Sequence, residues 1–283
     1  MIFGMQKIIS LLILLLLSIS GFNQGAPQSK WRLAVQMWTF NKSSFVEGIE
    51  KADSCGFKYI EAYPGQKLGG EFTGEMGPSM SGSERSKLKE FLKKKNIVFL
   101  AYGVADGNDE TRTDEDWRNC FAFARDMGVE EITAMPTASQ LDLVNELAGT
   151  YHMRVAIHNE PGKTPYAHPD SVLKAIQNRP NLGACVDIGN WVRNGVNIVD
   201  CLKNQLKGRV YSLHLKDVQQ AGVGRSPEAI LGQGSIDIPS ILRELKNQGF
   251  EGFFSIEHSF RGPANLNSIR QDIQYYQKQV SIL

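Results

Sequence analysis

Residues 210–216 read Val210-Tyr211-Ser212-Leu213-His214-Leu215-Lys216, and they alternate with a period of two. Tyr211, Leu213 and Leu215 share one face of an extended strand, and Ser212, His214 and Lys216 share the other. Three other short runs repeat this pattern. Over 154–160, Val155 and Ile157 oppose Ala156, His158 and Glu160; over 183–187, Ala184 and Val186 oppose Cys185 and Asp187. Over 253–257, Phe254 and Ile256 oppose Ser255 and Glu257. Each run ends in a polar, chemically capable side chain on the non-apolar face. An open sheet with both faces covered by helices would favour unbroken apolar runs, whereas a closed barrel has an interior that can carry such groups at one end.

Working outward, strands are expected at 32–38, 58–62, 98–102, 131–134, 154–158, 183–187, 210–215 and 253–256. Helical spacing fills the gaps. Trp117, Cys120, Phe121, Ala124 and Met127 follow i, i+3, i+4, i+7 and i+10, and Gly128 then supplies a stop. Phe45, Ile49 and Ala52 lead to Gly56, and Ile241, Leu242 and Leu245 lead to Gly249. Eight strands alternating with eight helices predict an α/β protein with a single (β/α)8 TIM barrel; a doubly wound open sheet is the competing architecture. In a barrel, the polar ends of the fifth to eighth strands converge at the C-terminal mouth, where barrel enzymes keep their active sites.

The 283 residues are 42% hydrophobic and 22% charged with a formal net charge of +1, an ordinary globular composition. No concentrated basic surface points to nucleic acid. The five lysines between Lys87 and Lys95 fall at the end of an expected helix, where they complement its dipole. Cys55, Cys120, Cys185 and Cys201 have no C-x-x-C spacing and are read as buried thiols. Lys7, the apolar run Ile8–Ile19 and the small-residue exit through Gly21, Gly25 and Ala26 describe a secretory signal peptide over 1–26. The run falls short of the about 20 residues a membrane span needs. The expectation is an exported, periplasmic protein with one barrel domain over 27–283 and no stable membrane span after cleavage.

Asp187, His214 and Glu257, with His158 or Glu160, make a mixed oxygen and nitrogen donor set. It suits one divalent ion, Mn²⁺, Co²⁺, Mg²⁺ or Zn²⁺, and the lack of thiolates argues against a structural zinc site. A lone strand-end aspartate is often a helix cap and a lone histidine a satisfied core group, but four together at one barrel end need a cation to offset their burial.

At these residues the chain resembles the xylose isomerase-like TIM-barrel superfamily, and within it the exported sugar phosphate isomerase/epimerase type. The resemblance runs through IEAYPGQ at 60–66, AIHNEPG at 156–162, CVDIGNWVRNG at 185–195, SLHLKD at 212–217, LGQGSID at 231–237 and FSIEH at 254–258. It implies that Asp187, His214 and Glu257 are metal ligands and that His158 takes a fourth position, where many relatives carry glutamate. The chain departs from the common pattern at Glu160, Asn190 and Met135, where relatives often have histidine, histidine and glutamate. The implied chemistry is proton transfer beside the carbonyl of a keto-sugar through an enediolate. Glu160 is the leading base, Glu257 a ligand able to shuttle a proton, and Lys216 a stabiliser of the enediolate or a salt-bridge partner. Glu61 and Arg193 are candidate hydroxyl or phosphate binders, Asn190 a hydroxyl partner, and Trp38 and Trp191 candidate stacking surfaces. Three functions are open on this reading: sugar isomerisation or epimerisation, β-elimination from a keto-glycoside, and sugar binding by a barrel that has lost its base. The Gly232-Gln233-Gly234 turn resembles a phosphate loop, but two glycines before a helix are more often a plain turn.

Overall fold

The computed structural model describes residues 31–109, 111–258 and 266–283. Parallel strands β1 (Arg32–Gln36), β2 (Tyr59–Ala62), β3 (Val98–Asp106), β4 (Glu131–Met135), β5 (Arg154–His158), β6 (Leu182–Asp187), β7 (Val210–Leu215) and β8 (Phe253–Ile256) close in sequence order, with β8 beside β1. The main helices between and after them are α1 (Phe45–Ser54), α2 (Gly82–Lys94), α3 (Asp114–Met127), α4 (Leu141–Tyr151), α5 (Pro169–Ile176), α6 (Ile198–Asn204), α7 (Ile238–Asn247) and α8 (Leu266–Ser281), with a shorter one, Ile188–Arg193, directly after β6. The architecture is a single (β/α)8 barrel. The segment 1–26, read from the sequence as a signal peptide, lies outside the described residues. Among the described residues no helix is long and apolar enough to cross a membrane.

Local chemistry explains why the helices begin where they do. Ser44 with Glu47, Ser81 with Glu84 and Thr113 with Asp116 each form a reciprocal capping box, satisfying backbone N–H groups that the first turn of a helix leaves without partners. Gly128 closes α3 in the left-handed conformation, at φ 76°, where a side chain is disfavoured.

Two strand ends differ from expectation by more than one residue. β1 stops at Gln36 because the Gln36 side chain accepts the Trp38 N–H and turns Met37–Phe40 into a 3₁₀ helix. β3 continues to Asp106, pairing Ala105 with Ala134 and Asp106 with Met135 after an irregularity in register.

The outward faces of the strands pack under the helices: Phe254 lies against Trp31, Phe250 and Tyr276, and Leu213, Leu215, Val186 and Ile256 are fully buried. Inside the barrel Ala34, Leu100, Ala101 and Phe253 form a separate apolar plug. Glu61, Glu131, Ser212 and Ser255 are also fully buried, and they join in hydrogen bonds across the barrel. No disulfide is formed among the described residues.

Candidate active site

Strand register delivers the site. His158 ends β5, Asp187 ends β6 opposite His214 of β7, and Glu257 follows β8, its N–H donating to the Leu215 carbonyl at 3.2 Å. One ligand-type atom from each of His158, Asp187, His214 and Glu257 lies within 4.8 Å of the others, and all four residues are buried.

The shell around them is dense. His214 Nδ1 stands 3.2 Å from His158 Nε2 and 3.0 Å from Glu257 Oε2. Lys216 Nζ lies 2.9 Å from Asp187 Oδ2 and 3.2 Å from Glu257 Oε2, so it pairs with two of the candidate ligands. Glu160 Oε1 is 3.6 Å from His158 Nδ1, partly exposed at the mouth. Asp187 divides its carboxylate: Oδ1 accepts the Asn190 N–H at 2.8 Å and starts a short helix, Ile188–Arg193, while Oδ2 faces the cluster. Capping the helix through Oδ1 therefore leaves Oδ2 available to the cluster.

Asn159 was not singled out in the sequence, although it sits between two candidate site residues. Its amide brackets the Asp187 backbone, accepting the N–H at 2.8 Å and donating to the carbonyl at 2.9 Å, which fixes the end of β6 against the end of β5.

Burial drives His158 well below its usual pKa, helped by the charge of His214, leaving it a neutral ring with a lone pair to offer. Burial also opposes charge on His214 and Lys216, but their surroundings hold both pKa values high: the Cys185 thiol, Glu61 and Glu257 around His214, Asp187 and Glu257 around Lys216. Against burial, Lys216 and His214 hold the Glu257 carboxyl well below its ordinary value. Burial raises Asp187 despite Lys216. Burial and the Glu257 charge push Glu160 up to about 7.

The donor set fits a divalent ion. It is two imidazoles and two carboxylates with atoms converging on one point, and two of those residues hold buried polar atoms, Asp187 Oδ2 and His158 Nδ1, that lack an aligned hydrogen bond.

Several other expected site residues sit elsewhere. Glu61 is fully buried beneath His214, with Oε2 2.9 Å from His214 Nε2 and 2.7 Å from Ser255 Oγ, away from any substrate. Trp191 is fully buried in the barrel wall and donates from Nε1 to the Tyr166 carbonyl at 3.2 Å, so it does not line the mouth. Arg193 is committed within the protein, to the Ser226 carbonyl at 3.1 Å, Asn190 Oδ1 at 3.2 Å and Glu228 at 3.6 Å. Asn190 in turn donates to the Asn159 carbonyl at 3.1 Å. Trp38 is at the rim, 44% exposed, edge-on to Tyr63 with ring centroids 5.1 Å apart. Met135 closes β4 and packs against the core.

The glycine turn is no phosphate loop in this chain. The Asp217 carboxylate, fully buried, already accepts the N–H groups of Val218 (2.8 Å), Gly232 (3.0 Å), Gly234 (3.0 Å) and Ile236 (3.2 Å). A Cβ on Gly234 would overlap that carboxylate, which accounts for the glycine.

The chain matches a family model described as xylose isomerase-like TIM barrel over residues 49–279, a span holding all four cluster residues. The chain belongs to the xylose isomerase-like TIM barrel family. Among family relatives, an inosose isomerase of Halalkalibacterium halodurans is 22% identical over 250 residues, covering 78% of this chain and 85% of that one. An inosose dehydratase of Clostridium botulinum is 26% identical over 163 residues, covering 51% of this chain and 54% of that one. A crystal structure of a protein from Parabacteroides distasonis superposes with a TM-score of 0.70 at 33% identity, covering 88% of this chain and 99% of that one. A second inosose isomerase, from Bacillus licheniformis, is 23% identical over 242 residues, covering 77% of this chain and 85% of that one.

Proposed function

We propose that the protein is a metal-dependent keto-sugar isomerase or epimerase that moves a proton beside a carbonyl. The observation that carries this reading is the convergence of His158, Asp187, His214 and Glu257 on one point with the Glu160 carboxylate next to it. These four residues would hold one divalent ion, Mn²⁺, Co²⁺, Mg²⁺ or Zn²⁺ by donor chemistry. Bound there, the ion supplies a Lewis acid for the negative charge of an enediolate. Glu160 takes the proton from the carbon next to the carbonyl and returns it to the neighbouring carbon or to the other face. A carboxylate held near neutral pKa by burial is suited to both steps. Glu257, ionised against Lys216, is the second proton carrier, and Lys216 keeps Asp187 and Glu257 in place. Trp38 at the rim offers a flat face to the sugar ring. Residues 1–26 would export the chain, to the periplasm in a bacterium of two membranes.

Elimination from a keto-glycoside begins with the same proton removal, and the similarity to an inosose dehydratase favours keeping it as the second reading. Metal-loaded protein in deuterated water, given free ketoses in one arm and 3-keto-glycosides in the other, separates the two. Deuterium uptake with isomer or epimer formation supports the first, and release of the aglycone supports the second. Deuterium exchange with neither substrate class sinks both and leaves a sugar-binding barrel. Glu160→Gln should retain metal while losing turnover by about 10²–10⁴-fold, because an amide cannot accept the proton.

A further inference from the structure

Glu61 is a fully buried carboxylate to which substrate binding gives no work. Its Oε2 lies 2.7 Å from Ser255 Oγ and 2.9 Å from His214 Nε2, and Ser255 is itself fully buried on β8. The opposite ring nitrogen of His214, Nδ1, is the one that faces the cluster, 3.2 Å from His158 Nε2 and 3.0 Å from Glu257 Oε2. A neutral imidazole carries one proton, and whichever nitrogen holds it cannot give a lone pair to a metal. The Ser255 hydroxyl and the His214 ring both have hydrogens to donate, and Glu61 Oε2 is the acceptor they share.

From this we infer that Glu61 is the positioning residue for His214: it holds the ring proton on Nε2 and so leaves Nδ1 as the atom offered to the cation. The inference rests on the metal reading above. Strand geometry supports the arrangement. Glu61 pairs in register with Gln36 of β1 and with Ala101 of β3, so it is fixed within the sheet and not on a loop. The Gln36 side chain is anchored in turn, donating from Nε2 to the Gly103 carbonyl at 2.8 Å. Ser255 holds the acceptor oxygen from the far side. Partners of this kind orient a ligand histidine and raise its basicity, and their loss weakens metal binding about 10–100-fold in other sites. Glu61 touches neither the substrate nor the cation; it acts through His214.

Zinc is the probe, because it is diamagnetic. In zinc-loaded protein labelled with ¹⁵N-histidine, His214 is assigned by its loss in His214→Asn. Its ring proton should appear on Nε2 and its Nδ1 should be zinc-shifted. Calorimetric zinc titration should show Glu61→Leu weakened about 10–100-fold relative to the parent, and Glu61→Gln, whose amide oxygen can still accept from Nε2–H, intermediate between the two. Should Glu61→Leu fail to fold, Ser255→Ala tests the same point: it keeps the carboxylate but removes the hydroxyl holding it, and should weaken zinc by a smaller factor. A ring proton on Nδ1 of His214, or zinc affinity unchanged in Glu61→Leu and Ser255→Ala, overturns the inference while leaving the metal site standing. A parent protein that takes up no zinc, cobalt or manganese overturns the metal reading, and this assignment with it.

Discussion

Replacing Asp217 by asparagine changes one oxygen for an NH₂ group in a place with four donors and no other carboxylate among the partners. In the parent, Oδ1 accepts from Val218 and Ile236, and Oδ2 from Gly232 and Gly234. Asparagine has one oxygen, so whichever way the amide turns, two backbone N–H groups meet an NH₂ instead of an acceptor. A buried donor left without an acceptor costs about 1–3 kcal/mol, which for two gives a loss of about 2–6 kcal/mol. Solvent reaching the turn would move the result to the lower end. The strap from Gln219 to Ser235 leaves the barrel mouth and returns to it at this carboxylate, so damage should be local before it is global. Urea unfolding followed by circular dichroism gives the total, and limited proteolysis reports on the strap. The expected result is a lower midpoint together with faster cleavage between 219 and 235. An Asp217→Asn protein within about 0.5 kcal/mol of the parent, the range of an ordinary surface change, would refute the account of the turn as a closed carboxylate nest. So would stoichiometric binding of inorganic phosphate at this turn in the parent.

Other consequences are open to measurement. His158→Ala should lower metal content first and activity as a result, so excess metal should restore part of the turnover; equal metal in variant and parent would remove His158 from the ligand set. Trp191→Ala should cost about 3–5 kcal/mol as a fully buried aromatic, whereas Trp38→Ala should leave the unfolding midpoint nearly unchanged and raise KM. Glu131 is fully buried against Arg154 and Ser212, and burial pushes its pKa up to about 7, with Arg154 and Ser212 opposing and the Glu61 charge adding. A folded pKa above the unfolded value of about 4.3 means a stabilising contribution fully present below about 4.3 and lost as pH rises through about 7. Glu131→Gln removes that dependence, so the unfolding midpoint of the variant relative to the parent should climb between pH 5 and pH 8; a constant difference across that range would count against it.

The barrel was legible because alternation on β5, β6, β7 and β8 is a direct consequence of strand geometry, and the bounds of β5, β7 and β8 follow it residue for residue. The same alternation brought His158, Asp187, His214 and Glu257 to one face. Alternation tells which way a side chain points and not how deep it sits. Glu61 points inward as expected, yet it lies beneath His214 in place of standing at the mouth. Trp191 lies in a six-residue helix, too short for a period to reveal its buried face. The strap over 219–235 has no periodicity at all. One of its anchors is an aspartate, Asp217, whose partners lie up to 19 residues further along, and only the folded chain brings them together.

The divided carboxylate of Asp187 limits how this site can change over evolutionary time. One oxygen starts the helix that carries Asn190 and Arg193, and Arg193 holds Ser226 and Glu228 of the strap; the other oxygen faces the cluster. A lineage cannot move this carboxylate without also shifting the helix and the strap it holds. Nor can it remodel that helix without disturbing the carboxylate. Variation is therefore expected at positions outside this linkage, such as the exposed run from Gln219 to Arg225 and the rim around Trp38, while the cluster residues keep their places.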